Sequence, residues 1–331
     1  MNKVPIRVDG RFRLGDILGS GSYGIVYRAR NIINDDDLAI KPEPLINNAS
    51  SLEHEYRILK HLEGGAGIPR AVWFGREATF HALVLDLLGP SLHDLFITHN
   101  RKFSLHTVLN FGDQLLSSLE HIHSHNYIHS DIKPQNVLVG RGDLEQTIFM
   151  VDFGVTKEYW NTTAQAHMPF CHGGHLTGTP AFASINNHLG VVPGRRDDLK
   201  SLIYMLIYFL HGSLPWFTSD HEKLPTSSIL ARKVDTTIED LCLGIPPEIT
   251  TMLIYLCNLA FSEDPDYDYL RSLLHNSVRS FHYTSSSIPE RALSGQGGAS
   301  VSTKDNASLQ INSSCICPLP PCTATTQYLD L

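Results

Sequence analysis

The segment His129-Ser130-Asp131-Ile132-Lys133-Pro134-Gln135-Asn136 places a carboxylate beside an ammonium group, with a carboxamide one short loop further on. Such a set can orient a hydroxyl, offset the charge of a phosphoryl group and help hold a metal ion, as phosphoryl transfer requires. A second carboxylate, Asp152, follows within Val151-Asp152-Phe153-Gly154. Upstream, Gly19-Ser20-Gly21-Ser22-Tyr23-Gly24 is a glycine cluster whose backbone N–H groups could approach phosphates. Alone it fits a tight hairpin equally well. Ile25-Val26-Tyr27 then continues as strand, where a dinucleotide-binding fold would open a helix. Lys41 ends the apolar run Leu38-Ala39-Ile40 at the right remove from the glycines to reach phosphates; elsewhere such a lysine merely extends into water. The next helical segment offers Glu53 and Glu55, each readable as a surface carboxylate or as a partner for Lys41.

These residues need elements to position them. Phe12 to Leu85 reads as a small, mostly β lobe of short apolar runs split by Gly, Asn and Asp turns. One helix interrupts it, with Leu52, Ile58, Leu59 and Leu62 near helical spacing and Gly64-Gly65 as its stop. Beyond Gly89-Pro90 helical patterns dominate: Leu105 to His123, Asp198 to Phe209, Pro247 to Ala260 and Tyr269 to Val278. After Thr284 the chain turns to Ser, Thr, Gly, Pro and Asn, and a disordered tail is expected.

Composition narrows the class. With 331 residues, 42% hydrophobic and 18% charged, the chain can bury a large core. A net charge of −8 argues against a nucleic-acid partner, which needs a basic face. The six cysteines lack paired metal or framework spacing, so reduced thiols inside a cell are expected. Met1 to Gly15 has no apolar core of a secretory signal, and Leu202 to Leu210 is too short to span a bilayer. The expected location is the cytoplasm, with the nucleus open as well. Cys315, Cys317 and Cys322 could carry lipid, but without a basic cluster or a terminal cysteine pair stable membrane attachment lacks its second signal. His121, His123, His125 and His129, and His167, His172 and His175, raise the thought of zinc, yet their spacing brings no cysteine or carboxylate partners.

Taken in order, the motifs resemble those of protein kinases. The glycine cluster resembles the kinase glycine loop, Leu38 to Lys41 the V-A-I-K strand, and Asp152-Phe153-Gly154 the D-F-G motif. His129 to Asn136 resembles H-R-D-x-K-P-x-N, with Ser130 in place of arginine. Ser184-Ile185-Asn186, where most kinases have A-P-E, is similar to the casein kinase 1 family. Leu87 to Leu92, Arg195 to Leu199 and Gly212 to Trp216 share that likeness, which runs from about Gly10 to Phe281.

The resemblance implies an α+β, bilobal protein-kinase fold over residues 10–284. A β-rich N-lobe would cover 10–87 and a helical C-lobe 88–284, with 285–331 as the tail. It implies an ATP- and magnesium-dependent serine/threonine kinase, monomeric, acting on acidic or already phosphorylated proteins. Asp131, Lys133 and Asn136 would be catalytic. Gly19, Ser20, Gly21, Gly24, Val26, Ala39, Lys41, Glu55, Leu85, Leu88 and Asp152 would serve the nucleotide, and Asn136 and Asp152 the magnesium. Of the two glutamates, alignment on Gly64-Gly65 favours Glu55; Leu85 would be the gatekeeper, Asp86 to Leu88 the hinge and Asp198 the anchor of the catalytic loop. The departures cluster. Lys157 keeps its place in the family's anion pocket, but Ser130, Gly174 and Ala181 stand where basic residues are expected, and Asp220 to Pro225 dilutes another basic stretch. An active kinase less dependent on primed substrates is the first expectation. A pseudokinase scaffold is the alternative.

Overall fold

The computed structural model describes residues 7–21, 24–45, 50–217 and 224–285. The expected tail, its cysteines and most of the diluted stretch at 220–225 lie outside them. The N-terminal lobe is one antiparallel sheet built from β1 (Arg7–Val8), β2 (Phe12–Gly21), β3 (Gly24–Asn31), β4 (Asp37–Pro44), β5 (Ala71–Arg76) and β6 (Phe80–Asp86). Its spatial order is β1-β2-β3-β4-β6-β5. Because side chains alternate along a strand, Leu38 and Ile40 on β4 face one way and Ala39 and Lys41 the other. The first pair joins Val8, Phe12, Ala29, Ala82 and Val84 in a small core on the sheet's outer face. The second pair shares its face with Leu83 and Leu85 of β6, their register partners. Leu83 belongs to the main core. Lys41 therefore points into the molecule between the lobes as a consequence of period two.

The helix α1 (Ser51–His61) starts at Ser50, whose hydroxyl accepts the Glu53 N–H. Leu52, Glu55, Ile58 and Leu59 form its buried face, packed into the main core. Helical spacing sends Glu53 outward, where it pairs with Arg57, and leaves Glu55 inside.

The larger lobe consists of α2 (Leu92–Thr98), α3 (Leu105–Ser124), α4 (Ile185–His188), α5 (Arg195–His211), α6 (Thr226–Asp235), α7 (Ile238–Leu241), α8 (Pro247–Asn258) and α9 (Tyr267–Ser285). Small antiparallel pairs join β7 (Tyr127–Ile128) to β10 (Lys157–Glu158) and β8 (Val137–Val139) to β9 (Ile148–Met150). The stretch between Gly154 and Ser184, the activation segment that the kinase resemblance implies, adds β11 (Trp160–Asn161) against β12 (Ala166–His167). Every residue of α5 from Arg195 to Phe209 is buried, and from Leu202 to Leu210 the helix is apolar on all sides. Each fully buried Leu or Ile there contributes roughly 1.5–3 kcal/mol. Among the described residues no helix is long and apolar enough to cross a membrane.

The four charged residues that open α5 are buried as well, and each has a task. Arg195 pairs with Asp264 and lies over the Tyr159 ring. Arg196 donates to the Leu259 carbonyl at 2.7 Å. Asp197 caps the helix by accepting the Gly194 N–H at 2.9 Å and also accepts from the Ser184 hydroxyl at 2.6 Å. Asp198 reaches the loop before Asp131. The tight local use of all four explains why charge is tolerated in the middle of the protein.

Candidate active site

Lys41 sits at 9% exposure. Its ammonium donates to Glu55 Oε2 at 2.9 Å and to Asp152 Oδ1 at 3.0 Å. Burial alone would depress the Lys41 pKa, but the two carboxylates outweigh it and the net shift is upward. Burial pushes the Glu55 carboxyl up, opposed by the charge of Lys41. Lys41 is thus a fixed cation at the floor of the cleft, and α1 is tied to the sheet through it.

The catalytic loop hangs from α5. Asp198 accepts the His129 N–H at 2.7 Å, the Ser130 N–H at 2.8 Å and the ring N–H of His123 at 3.0 Å. Burial lowers the pKa of His123 against the pull of Asp198. A neutral ring suits the network, because Nδ1 then accepts from the Tyr267 hydroxyl at 2.5 Å. Ser130 has a φ of +69°, a left-handed conformation that turns the chain so that Asp131 faces the cleft.

Asp131 is 3% exposed and its carboxylate is fully engaged. Oδ1 accepts the Thr179 N–H and the Thr179 hydroxyl, both at 2.8 Å. Oδ2 accepts Lys133 Nζ at 2.6 Å and Asn136 Nδ2 at 3.1 Å. Lys133 also donates to Thr179 Oγ1 at 2.9 Å. The close approach of the activation segment depends on Gly178, at φ +85°, where an added Cβ would lie 2.3 Å from the Ser130 carbonyl oxygen.

Asp152 adopts φ +68° and ψ +68°, which lets Phe153 turn under α1 into the main core. The Phe153 ring meets His129 at 4.9 Å, and His129 Nε2 donates to the Val151 carbonyl at 3.1 Å. From α1, His54 Nε2 donates to the Thr156 carbonyl at 2.8 Å. Helix, sheet and D-F-G segment are locked in one arrangement.

The glycine loop spans the β2–β3 turn. Gly19 pairs with Val26 and Gly21 with Gly24, whose φ of +110° favours glycine. Ser20 lies in β2 between them, while Ser22 and Tyr23 lie outside the described residues. Ala39 pairs with Leu85 across the β4–β6 seam, and Leu85 and Leu88 are half-buried. Hydrogen bonds therefore gather Lys41, Glu55 and Asp152 into one set and Asp131, Lys133 and Asn136 into another. The sheet carries Gly19, Ser20, Gly21, Gly24, Val26, Ala39 and Leu85.

The second pocket is different. Ser130 Oγ is buried and has no partner among the described residues. Lys157 is exposed and donates to Thr177 Oγ1 at 3.1 Å. Gly174 spends its N–H on the Gly190 carbonyl at 3.1 Å, and Ala181 gives its carbonyl to Trp216. A cleft of about 1090 Å³ opens beside Lys157, with Arg57, Thr177, Met168 and Phe261 also on its walls; Ser130, Gly174 and Ala181 do not line it. Arg57 is already paired with Glu53. The histidines have other partners: His121 and His125 bond the Leu62 and His121 carbonyls, and His167 packs on Tyr159 and Phe261.

In the sequence Thr179, His188 and Trp216 stand only in stretches that carry the family likeness, and His54 and Lys233 carry no signal. The one local hint for Thr179 was the glycine before it.

A two-lobed fold with a buried lysine–glutamate–aspartate triad above a donor-rich aspartate defines a phosphate-handling class of protein. The comparison with known families agrees: the protein kinase domain matches residues 12–267. The chain belongs to the protein kinase domain family.

Proposed function

We propose that this chain is a serine/threonine kinase of the casein kinase 1 type. It transfers the γ-phosphoryl group of ATP to hydroxyls on acidic proteins and depends little on a phosphate already present in the substrate. The observation that carries this reading is the network in which Lys133 and Thr179 converge on Asp131. An aspartate with a lysine two residues on is the arrangement of serine/threonine kinases. Asp131 receives the substrate hydroxyl, and Lys133 stands beside it to offset charge on the transferred group. Lys41, held by Glu55, steadies the α- and β-phosphates. Asp152 and Asn136 are oxygen donors suited to magnesium, which takes one or two protein ligands and fills its remaining positions with phosphate oxygens and water. The bound ion would neutralise charge between the phosphates. Positioning and electrostatics supply most of the rate enhancement, with no covalent chemistry asked of the protein.

The weak dependence on priming follows from the second pocket. Each missing charge-assisted contact removes roughly 1.5–3 kcal/mol of phosphate binding. Lys157 and Arg57 are the cations on the walls of that cleft, and each is already engaged.

Labelled ATP, magnesium and casein, with Asp152→Asn beside the unmodified chain, test transfer. Label on casein from the unmodified chain alone is the expected result. Nucleotide binding without transfer would instead favour a scaffold. A primed and an unprimed peptide of the same sequence then test selectivity, and a strong preference for the primed one would overturn that part.

A further inference from the structure

Thr179 donates twice to Asp131, so the backbone that carries Thr179 decides where it stands. The carbonyls of Pro180, Ala181 and Ala183, which follow it, are each held by a side chain. Lys233 on α6 donates from Nζ to the Pro180 carbonyl at 3.0 Å and also to that of Ala183. His188 Nε2 donates to the same Pro180 carbonyl at 2.8 Å. Trp216 Nε1 donates to the Ala181 carbonyl at 2.8 Å.

Lys233 is an unusual residue to find there. It is 3% exposed, with Nζ 5.0 Å from the Tyr204 ring centre and 4.9 Å from that of Trp216. Among the described residues its partners are carbonyls and rings, and no carboxylate forms an ion pair with it. Burial holds its pKa well below the usual lysine range. An ammonium buried this way costs stability, and a methionine would fill similar volume without that cost. Packing therefore does not account for it. His188 is of the same kind: burial first and Lys233 second lower its pKa to about 4, and its Nδ1 is buried with no partner. The neutral ring with its proton on Nε2 is the form that fits.

We propose that Lys233, assisted by His188 and Trp216, is a positioning residue for phosphoryl transfer: it fixes the Pro180–Ala183 backbone and thereby sets Thr179 and Lys133 around Asp131. The proposal rests on the reading of Asp131 as the group that receives the substrate hydroxyl. Lys233 itself touches neither nucleotide nor substrate.

The test is Lys233→Met in the full chain, with steady-state kinetics on casein and thermal melting. The melting temperature should hold or rise and KM for ATP should stay unchanged. The turnover number should fall about 10- to 100-fold, as a small misplacement at a reacting centre can cause. In a double variant with Thr179→Ala the loss should be no greater than for Thr179→Ala alone, because the two residues act in series. A folded Lys233→Met chain with full turnover overturns the proposal, as do losses that multiply in the double variant. If Lys233→Met fails to fold, Trp216→Phe keeps the ring and removes one N–H. It should lower turnover with KM for ATP unchanged, and unaltered turnover overturns the proposal. Failure of the phosphotransfer reading is separate: the unmodified chain would then label nothing.

Discussion

Asp131 and Ser130 are neighbours in the chain but belong to regions of opposite character. The Asp131 carboxylate takes four hydrogen bonds, from Thr179 twice, Lys133 and Asn136. The Ser130 hydroxyl is buried beside it with no partner among the described residues. The Asp131 carboxylate is met by donors at both oxygens, whereas nothing among the described residues bonds the Ser130 hydroxyl. The reason is energetic. A buried carboxylate stripped of its donors is costly, so the catalytic network resists piecemeal loss. The unbonded Ser130 hydroxyl is a smaller cost, because the group carries no charge. Two adjacent residues thus differ in how much a substitution would cost the fold.

The largest effect expected on the catalytic side is that of Asp131→Asn. It should lower turnover by about 10²–10⁴-fold and lower the melting temperature somewhat, because the amide N–H meets donors and Lys133 loses its carboxylate. An active Asp131→Asn protein would place the chemistry elsewhere. Lys41→Met comes next: it strands Glu55 at 2% exposure and should destabilise the fold by about 3–5 kcal/mol, measured by urea unfolding. A loss near zero would mean that Glu55 is protonated and needs no partner.

The pocket side is tested by restoring what it lacks. Ser130→Arg with Gly174→Arg, the second at an exposed position, should raise the primed-to-unprimed ratio of kcat/KM about tenfold or more, with little change on the unprimed peptide. An equal change on both peptides would show that the two regions are not separable.

The smallest effect concerns acid. The unfolded chain binds a proton at histidine near 6.5, whereas native His188 resists it until about 4. A depressed native pKa gives stability that is present above 6.5 and lost as the pH falls toward 4. Buried His123, also held low, has the same sign. The urea midpoint should drop between about pH 7 and about pH 5, and less so in His188→Gln. Equal slopes for the two proteins would remove His188 from this account.

Much of this molecule is legible in its sequence because the relevant physics is local. Period-two alternation turned Ala39 and Lys41 to one face of β4, while Glu55 was chosen over Glu53 through the family likeness at Gly64-Gly65 and stands on the inward face of α1. The loop from His129 to Asn136 announced its chemistry through residue types a few positions apart. Thr179, His54 and Lys233 could not be found that way. Thr179 meets Asp131 across 48 residues, His54 meets Thr156 across 102 and Lys233 meets Pro180 across 53. Contacts over such separations leave no periodic or spacing signal, because they depend on how α1, α6 and the activation segment pack. The sequence by itself determined which groups have the chemical types that phosphoryl transfer needs. Only the tertiary structure decided what holds them in place.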